Sequence, residues 1–141
     1  DDETSIVHGD YRLDNMILKN NQVMGILDWE LSTLGHPIAD FSYHCLSWRT
    51  QEAFWDQAKL KELGVPSEKE YMDMYCENTG KDLSKNWEFY MAFNMFKIAG
   101  ILQGILGRVR DGTAASKHAE DRGMMVYPLS EAAWNTIKDN F

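Results

Sequence analysis

The stretch His8-Gly9-Asp10-Tyr11-Arg12-Leu13-Asp14-Asn15, followed one turn and one apolar run later by Ile26-Leu27-Asp28-Trp29-Glu30, decides how this chain is read. A carboxylate and an amide five positions apart on a tight loop meet two needs of phosphoryl chemistry: an acceptor for the proton of an attacking hydroxyl, and an oxygen ligand for magnesium. Asp28, at the end of the next apolar run, offers a second oxygen to a cation that bridges nucleotide phosphates. Taken alone, Asp-x-x-x-x-Asn is ordinary turn chemistry, because both side chains cap their own backbone. The conjunction is more specific. A strand before His8, a strand after Asn15, a turn and a third strand running into Asp28 occur in that order.

Local signals place these residues. Ser5-Ile6-Val7 and Met16-Ile17-Leu18 read as short strands, Asn20-Asn21 as a turn, and residues 23–27 as a third strand. Pro37 suits the first turn of a helix, with Ile38, Phe41, Cys45 and Trp48 at helical spacing. Gly64-Val65-Pro66 breaks the chain, and Ser67 with Glu70 forms a capping box that opens a helix ending near Gly80. Residues 84–110 then read as one helix of roughly 40 Å. Its apolar residues, Trp87, Phe89, Phe93, Phe96, Ile101, Leu102, Ile105, Leu106 and Val109, cover most of its circumference, which predicts a central, buried helix. Gly100, Gly104 and Gly107 are expected to allow close helix contacts. Glu88, Asn94, Lys97 and Gln103 interrupt the run too often for a bilayer span. After Asp111-Gly112, helices are expected over residues 114–127 and 130–140.

Composition bounds the function. The 141 residues are 44% hydrophobic, enough to build a core, and no repeat or linker divides them, so a single unit spanning 1–141 is expected. The balance of 14 basic against 22 acidic residues, a net charge of −8, argues against nucleic acid or an anionic membrane as partner. Nucleotide phosphates remain compatible with that charge, since a bound magnesium ion supplies the local positive charge. Cys45 and Cys76 lack tight spacing and no signal peptide precedes them, which predicts packed thiols and a cytoplasmic location. His36, His44 and His118 show no metal-ligand spacing and read as ordinary.

His-x-Asp-x-x-x-x-Asn followed by an apolar run into Asp resembles the catalytic-loop and metal-loop pair of the protein-kinase-like superfamily. Gly9 after the histidine, Asp28-Trp29-Glu30 in place of Asp-Phe-Gly, and Gly35-His36-Pro37-Ile38-Ala39-Asp40 make the chain similar to the aminoglycoside phosphotransferase and choline kinase branch. The chain also resembles the kinase-like domain that some organisms fuse to an acyl-CoA dehydrogenase. The segment from Arg122-Gly123-Met124-Met125 to Ala133-Trp134 fits the same group with little specificity.

The resemblance implies that Asp10 is the catalytic base or hydroxyl-orienting group and that Asn15 and Asp28 hold the magnesium of Mg-ATP, with GTP the alternative nucleotide. His8 then braces the loop. Arg12 reaches the transferred phosphoryl group, a role that suits a guanidinium; the competing reading is an ion pair with Asp14 or Glu30. Glu30 supports a second metal, against the reading of a solvated acid. Asp40 anchors the loop by accepting backbone hydrogen bonds. The implied fold is α+β and mostly helical, a partial C-terminal lobe of a protein-kinase-like fold whose short β-hairpin region carries both loops.

No Gly-rich strand-turn-strand and no Val-Ala-x-Lys pattern is found in the chain, so the expectation is the carboxy-terminal portion of a longer kinase-like protein, lacking the amino-terminal lobe. Catalysis by positioning suffers in such a fragment. The isolated chain is therefore expected to be weakly active or inactive, with exposed apolar surface that favours a homo-oligomer. Two function classes remain: a kinase acting on the hydroxyl of a small molecule, with a hydroxyacyl-CoA or hydroxy acid among the candidate acceptors, and a noncatalytic pseudokinase or interaction module. The second predicts loss of Asp10, Asn15 or Asp28, and all three are present.

Overall fold

The computed structural model describes residues 3–50 and 57–138. They fall into two compact units, Asp1–Trp87 and Glu88–Phe141.

The first unit is organised around two small antiparallel pairings. Strands β1 (Ser5–Val7) and β4 (Thr33–Gly35) pair with Ile6 opposite Leu34. Strands β2 (Met16–Lys19) and β3 (Gln22–Ile26) form a hairpin with Met16 opposite Ile26, its register slipping at Met24. Asn20 and Asn21 both take positive φ, at 51° and 58°. Asparagine tolerates this left-handed pair, and the resulting tight turn matches the twist of the strands. The expected turn and all three expected strands are thus observed, the third as β3 one residue earlier at each end, whereas β4 is a strand that the sequence pattern did not reveal.

Helix α1 (Pro37–Thr50) begins at the expected proline, and His36 Nδ1 accepts from the Ile38 N–H at 3.2 Å, capping its first turn. A short α2 (Gln57–Glu62) leads to the Gly64-Val65-Pro66 break and α3 (Glu68–Thr79). The capping box is present: the Ser67 hydroxyl accepts from the Glu70 N–H at 3.3 Å while the Glu70 carboxylate accepts from the Ser67 N–H at 2.8 Å. Gly80 closes α3 in the left-handed conformation, at φ 70°. Phe41 stacks on Tyr75 at 3.8 Å between ring centroids and Trp48 on Tyr71 at 5.0 Å, so α1 and α3 meet through aromatic rings. Glu68 ties the same region together. It accepts from Arg49 Nε at 3.0 Å, Arg49 Nη2 at 2.9 Å and Trp87 Nε1 at 2.9 Å. Val7, Ile38, Cys45, Leu46, Leu83 and Trp87 are the buried apolar residues of this unit.

The second unit holds most of α4 (Trp87–Arg110), then α5 (Ala119–Met124) and α6 (Val126–Ile137). The long helix starts at Trp87 rather than at residue 84, because the Ser84 N–H is taken by the Asp82 carboxylate at 2.8 Å. It is not buried all round. Met91, Ala92, Asn94, Met95 and Ala99 are buried, while Phe96 is 72% exposed and Phe89, Phe93 and Ile101 are about half exposed. Apolar periodicity gave the helix but not which side is covered. At 24 residues, α4 is long and apolar enough to cross a bilayer. It nevertheless carries Glu88, Lys97 and the buried Asn94. Phe89, Phe93, Phe96, Ala133, Trp134 and Ile137 line an open apolar groove of about 260 Å³.

The close glycine contact also differs from expectation. Gly100 and Gly107 have open space beside them, whereas a Cβ on Gly123 would overlap the side chain of Leu106, so α5 approaches α4 there. The last two helices begin later and earlier than predicted. Residues 114–118 lie outside any helix, and α6 takes Pro128 into its first turn, where proline's missing N–H is not needed. The predicted end of that helix, residues 139–140, lies outside the described residues.

Candidate active site

The loop between β1 and β2 is held by one face of α1. Asp40, Tyr43 and His44 stand at i, i+3 and i+4, one side of a helix. They take the loop residues in sequence order. The Asp40 carboxylate accepts from the His8 N–H at 2.7 Å and from the Gly9 N–H at 2.8 Å. The Tyr43 hydroxyl donates to Asp10 Oδ1 at 2.9 Å. His44 Nδ1 meets the Tyr11 carbonyl at 3.0 Å; a carbonyl only accepts, so Nδ1 carries the proton and Nε2 accepts from the Tyr71 hydroxyl at 3.1 Å. Asp40 therefore has the anchoring role expected of it.

His8 braces the loop from within. The Asp10 N–H donates to His8 Nδ1 at 3.2 Å, which leaves the proton on Nε2 to donate to the Leu27 carbonyl at 2.8 Å. Only 3% of His8 is exposed, and its ring sits 4.7 Å from that of Trp29. One imidazole thus links the loop of Asp10 to the residue before Asp28. Gly9 between them has φ 81°, and a Cβ there would lie 2.6 Å from the Leu31 carbonyl oxygen, so both conformation and space require glycine.

Asp10 and Asn15 are directly joined. Asn15 Nδ2 donates to Asp10 Oδ2 at 3.1 Å and to the Asp10 carbonyl at 2.9 Å, within a loop closed by a 3₁₀ turn over Leu13–Asn15. The amide nitrogen being spent on Asp10, the Asn15 side-chain oxygen accepts no hydrogen bond among the described residues. The Leu27 N–H donates to the Asn15 carbonyl at 2.8 Å, which sets the two loops side by side. Asp28 follows at once in the left-handed conformation, φ 63° and ψ 55°, and its exposed carboxylate has no hydrogen bond to the described residues. A non-glycine residue held there costs of order 1 kcal/mol and marks a position where something other than backbone comfort decides.

The amide oxygen of Asn15 and the carboxylate of Asp28 are the donor types that suit magnesium, a hard cation that takes few protein ligands and keeps water and phosphate oxygens for the rest of its shell. No cluster of three His, Cys, Asp or Glu side chains able to hold a metal by itself exists among the described residues. Arg12 and Glu30 stand differently. The Arg12 guanidinium is on Asp14, with Nε 3.1 Å from Oδ2 and a second contact through Nη2, in an exposed pair; that hydrogen bond raises its pKa. Glu30 is exposed in the 3₁₀ turn over Trp29–Leu31.

Tyr43 and His44 were missed as site residues. Burial, then the hydrogen bond to Asp10, pushes the Tyr43 hydroxyl up to about 12, so it stays a donor across the physiological range. Burial lowers the pKa of His44 and keeps it neutral, against the opposing pull of the Tyr11 carbonyl and Asp40. The signal was available: both lie at helical spacing from Asp40.

The phosphotransferase enzyme family (APH) matches residues 1–75. Acyl-CoA dehydrogenase family member 10 of Mus musculus is 42% identical over 98% of this chain, and family member 11 of Homo sapiens is 36% identical over all of it. The chain spans only 14% and 19% of those two proteins. The crystal structure of a Ralstonia eutropha JMP134 protein, provisionally named an aminoglycoside phosphotransferase, superposes with a TM-score of 0.86 at 49% identity, covering 96% of this chain and 43% of its own. The α+β, mostly helical fold with its short hairpin is therefore part of a kinase-like phosphotransferase fold. The chain belongs to the phosphotransferase enzyme family.

Proposed function

We propose that this chain carries the phosphoryl-transfer centre of a Mg-ATP-dependent kinase acting on the hydroxyl of a small molecule. The observation that carries the reading is the Asp10 carboxylate, fixed at both oxygens by Asn15 and Tyr43 within a loop that Asp40 holds by its backbone. A bound magnesium ion would supply positive charge against the charge that develops on the transferred phosphoryl group. Asn15 and Asp28 would hold it through side-chain oxygens that accept no hydrogen bond among the described residues. Asp10 orients the acceptor hydroxyl and takes its proton, each carboxylate oxygen keeping a lone pair beyond the bonds described. Arg12 leaves Asp14 for the transferred group, an exchange that an exposed pair worth at most about 1 kcal/mol permits. Glu30 is assigned to a second cation.

The acceptor is proposed from the relatives. Members of the acyl-CoA dehydrogenase families suggest a hydroxyacyl-CoA or hydroxy acid, and the Ralstonia protein's name suggests an aminoglycoside. A net charge of −8 favours a small soluble acceptor over nucleic acid or an anionic membrane. The test measures Mg-ATP binding by calorimetry and transfer by ADP release, in the complete polypeptide in which the chain occurs. Asp10→Ala should abolish transfer and spare Mg-ATP binding, while Asp28→Ala should weaken Mg-ATP binding itself. Equal loss of binding in both variants would refute this division of roles.

A further inference from the structure

Asp10 is gripped from two directions. Asn15, in the same loop, donates to Oδ2 at 3.1 Å; Tyr43, thirty-three residues further on and in α1, donates to Oδ1 at 2.9 Å. The two donors differ in what else they must do. On the proposed reading, Asn15 also turns its oxygen to a cation, so its orientation answers to the metal as well as to Asp10. Tyr43 has no such second duty toward the metal. It rises from the helix that also holds the His8 and Gly9 backbone through Asp40, so the carboxylate and the loop that bears it are referenced to one rigid element.

We propose that Tyr43 is a positioning residue for phosphoryl transfer, fixing the plane of the Asp10 carboxylate through Oδ1 so that its remaining lone pairs face the acceptor hydroxyl. This rests on the reading of Asp10 as the base. A carboxylate held at one oxygen turns about its Cβ–Cγ bond, a torsion with a broad profile. Held at both, it presents one plane. The phenol suits the task because burial keeps it protonated, so it supplies a constant donor rather than a competing base. Phenylalanine would fill the same space without the donor. A misplacement of the base by a fraction of an ångström falls on the chemical step and not on nucleotide binding.

The experiment compares wild type, Tyr43→Phe, Tyr43→Leu and Asp10→Asn in the complete polypeptide, reading ADP release from Mg-ATP with water as acceptor, KM for ATP and the melting temperature. The expected result for Tyr43→Phe is a fall of about tenfold in kcat, with KM for ATP changed less than about twofold and the melting temperature unmoved. Tyr43→Leu, which also removes the ring, should show the same fall in kcat together with a lower melting temperature. A wild-type kcat in Tyr43→Phe beside an inactive Asp10→Asn overturns the positioning role and leaves the base in place. A loss in Tyr43→Phe that appears only in step with a lower melting temperature also overturns it, since a general loss of stability would then account for the fall. Wild-type turnover in Asp10→Asn removes the reading of Asp10, and this inference with it.

Discussion

The α-carbon of Gly9 faces the carbonyl oxygen of Leu31 so closely that a Cβ would sit 2.6 Å from it, on a backbone already at φ 81°. Glycine is thus demanded twice over, by the left-handed conformation and by the turn that carries Asp28. Gly9→Ala should destabilise the protein by about 2–3 kcal/mol, the sum of a strained dihedral and a backbone overlap that cannot relax cheaply. Denaturant unfolding checks this. A loss under about 0.5 kcal/mol would mean that the two turns separate easily.

Asp28 can be split into its backbone and its charge. Asparagine tolerates the left-handed conformation nearly as well as aspartate, so Asp28→Asn should leave stability within about 0.5 kcal/mol of wild type while weakening Mg-ATP binding about tenfold or more. Asp28→Ala should lose the same binding and a further ~1 kcal/mol of stability. Calorimetric titration beside thermal unfolding separates the two effects. Unchanged affinity in Asp28→Asn would remove this carboxylate from the metal site.

His44 predicts a direction of pH dependence. Burial depresses its folded pKa, with Tyr11 and Asp40 opposing and the Tyr71 hydroxyl on Nε2. Below the ordinary histidine value of about 6.5 the unfolded chain takes up a proton that the folded chain resists, so stability present above that pH is lost as pH falls. Urea midpoints from pH 7.5 down to 5 should fall less steeply in His44→Gln than in wild type. Parallel slopes would show that His44 takes no part.

Glu68 gathers two donors from different elements, the half-buried Arg49 and the buried Trp87. Glu68→Ala removes the one carboxylate that accepts from both the Arg49 guanidinium and the Trp87 indole N–H. A loss of about 2–3 kcal/mol is expected. Glu68→Gln keeps an acceptor for Trp87 and should cost less. Equal losses in the two variants would show that the charge, not the shared acceptor, matters.

What the sequence made legible was chemistry written in neighbouring residues. Asn20-Asn21, Pro37, the Ser67 and Glu70 pair and the Gly80 stop each act within a few bonds of themselves, and each stands where it was read. Strand β4 escaped because three residues carry no period, and Thr33–Gly35 is a strand only through β1, far back in the chain. The covered side of α4 escaped because apolar residues occupy most of its circumference, so their spacing marks no single face. At the site, the motif gave Asp10, Asn15 and Asp28 as candidates, but Tyr43 and His44 bear on it through tertiary contacts that spacing alone shows only once Asp40 is taken as the origin. Arg12 was open between two partners, and the structure has it on Asp14.

The face of α1 that carries Asp40, Tyr43 and His44 makes the loop's shape the property of a distant element. Besides the bonds made within the loop by His8 and Asn15, residues 8–11 take partners from a helix some thirty residues downstream. Without that helix the loop keeps its letters and loses its anchors. A variant with a proline in the middle of α1 would keep every residue of the motif and still have no site, so inspection of the motif alone would score as intact a protein that had lost it.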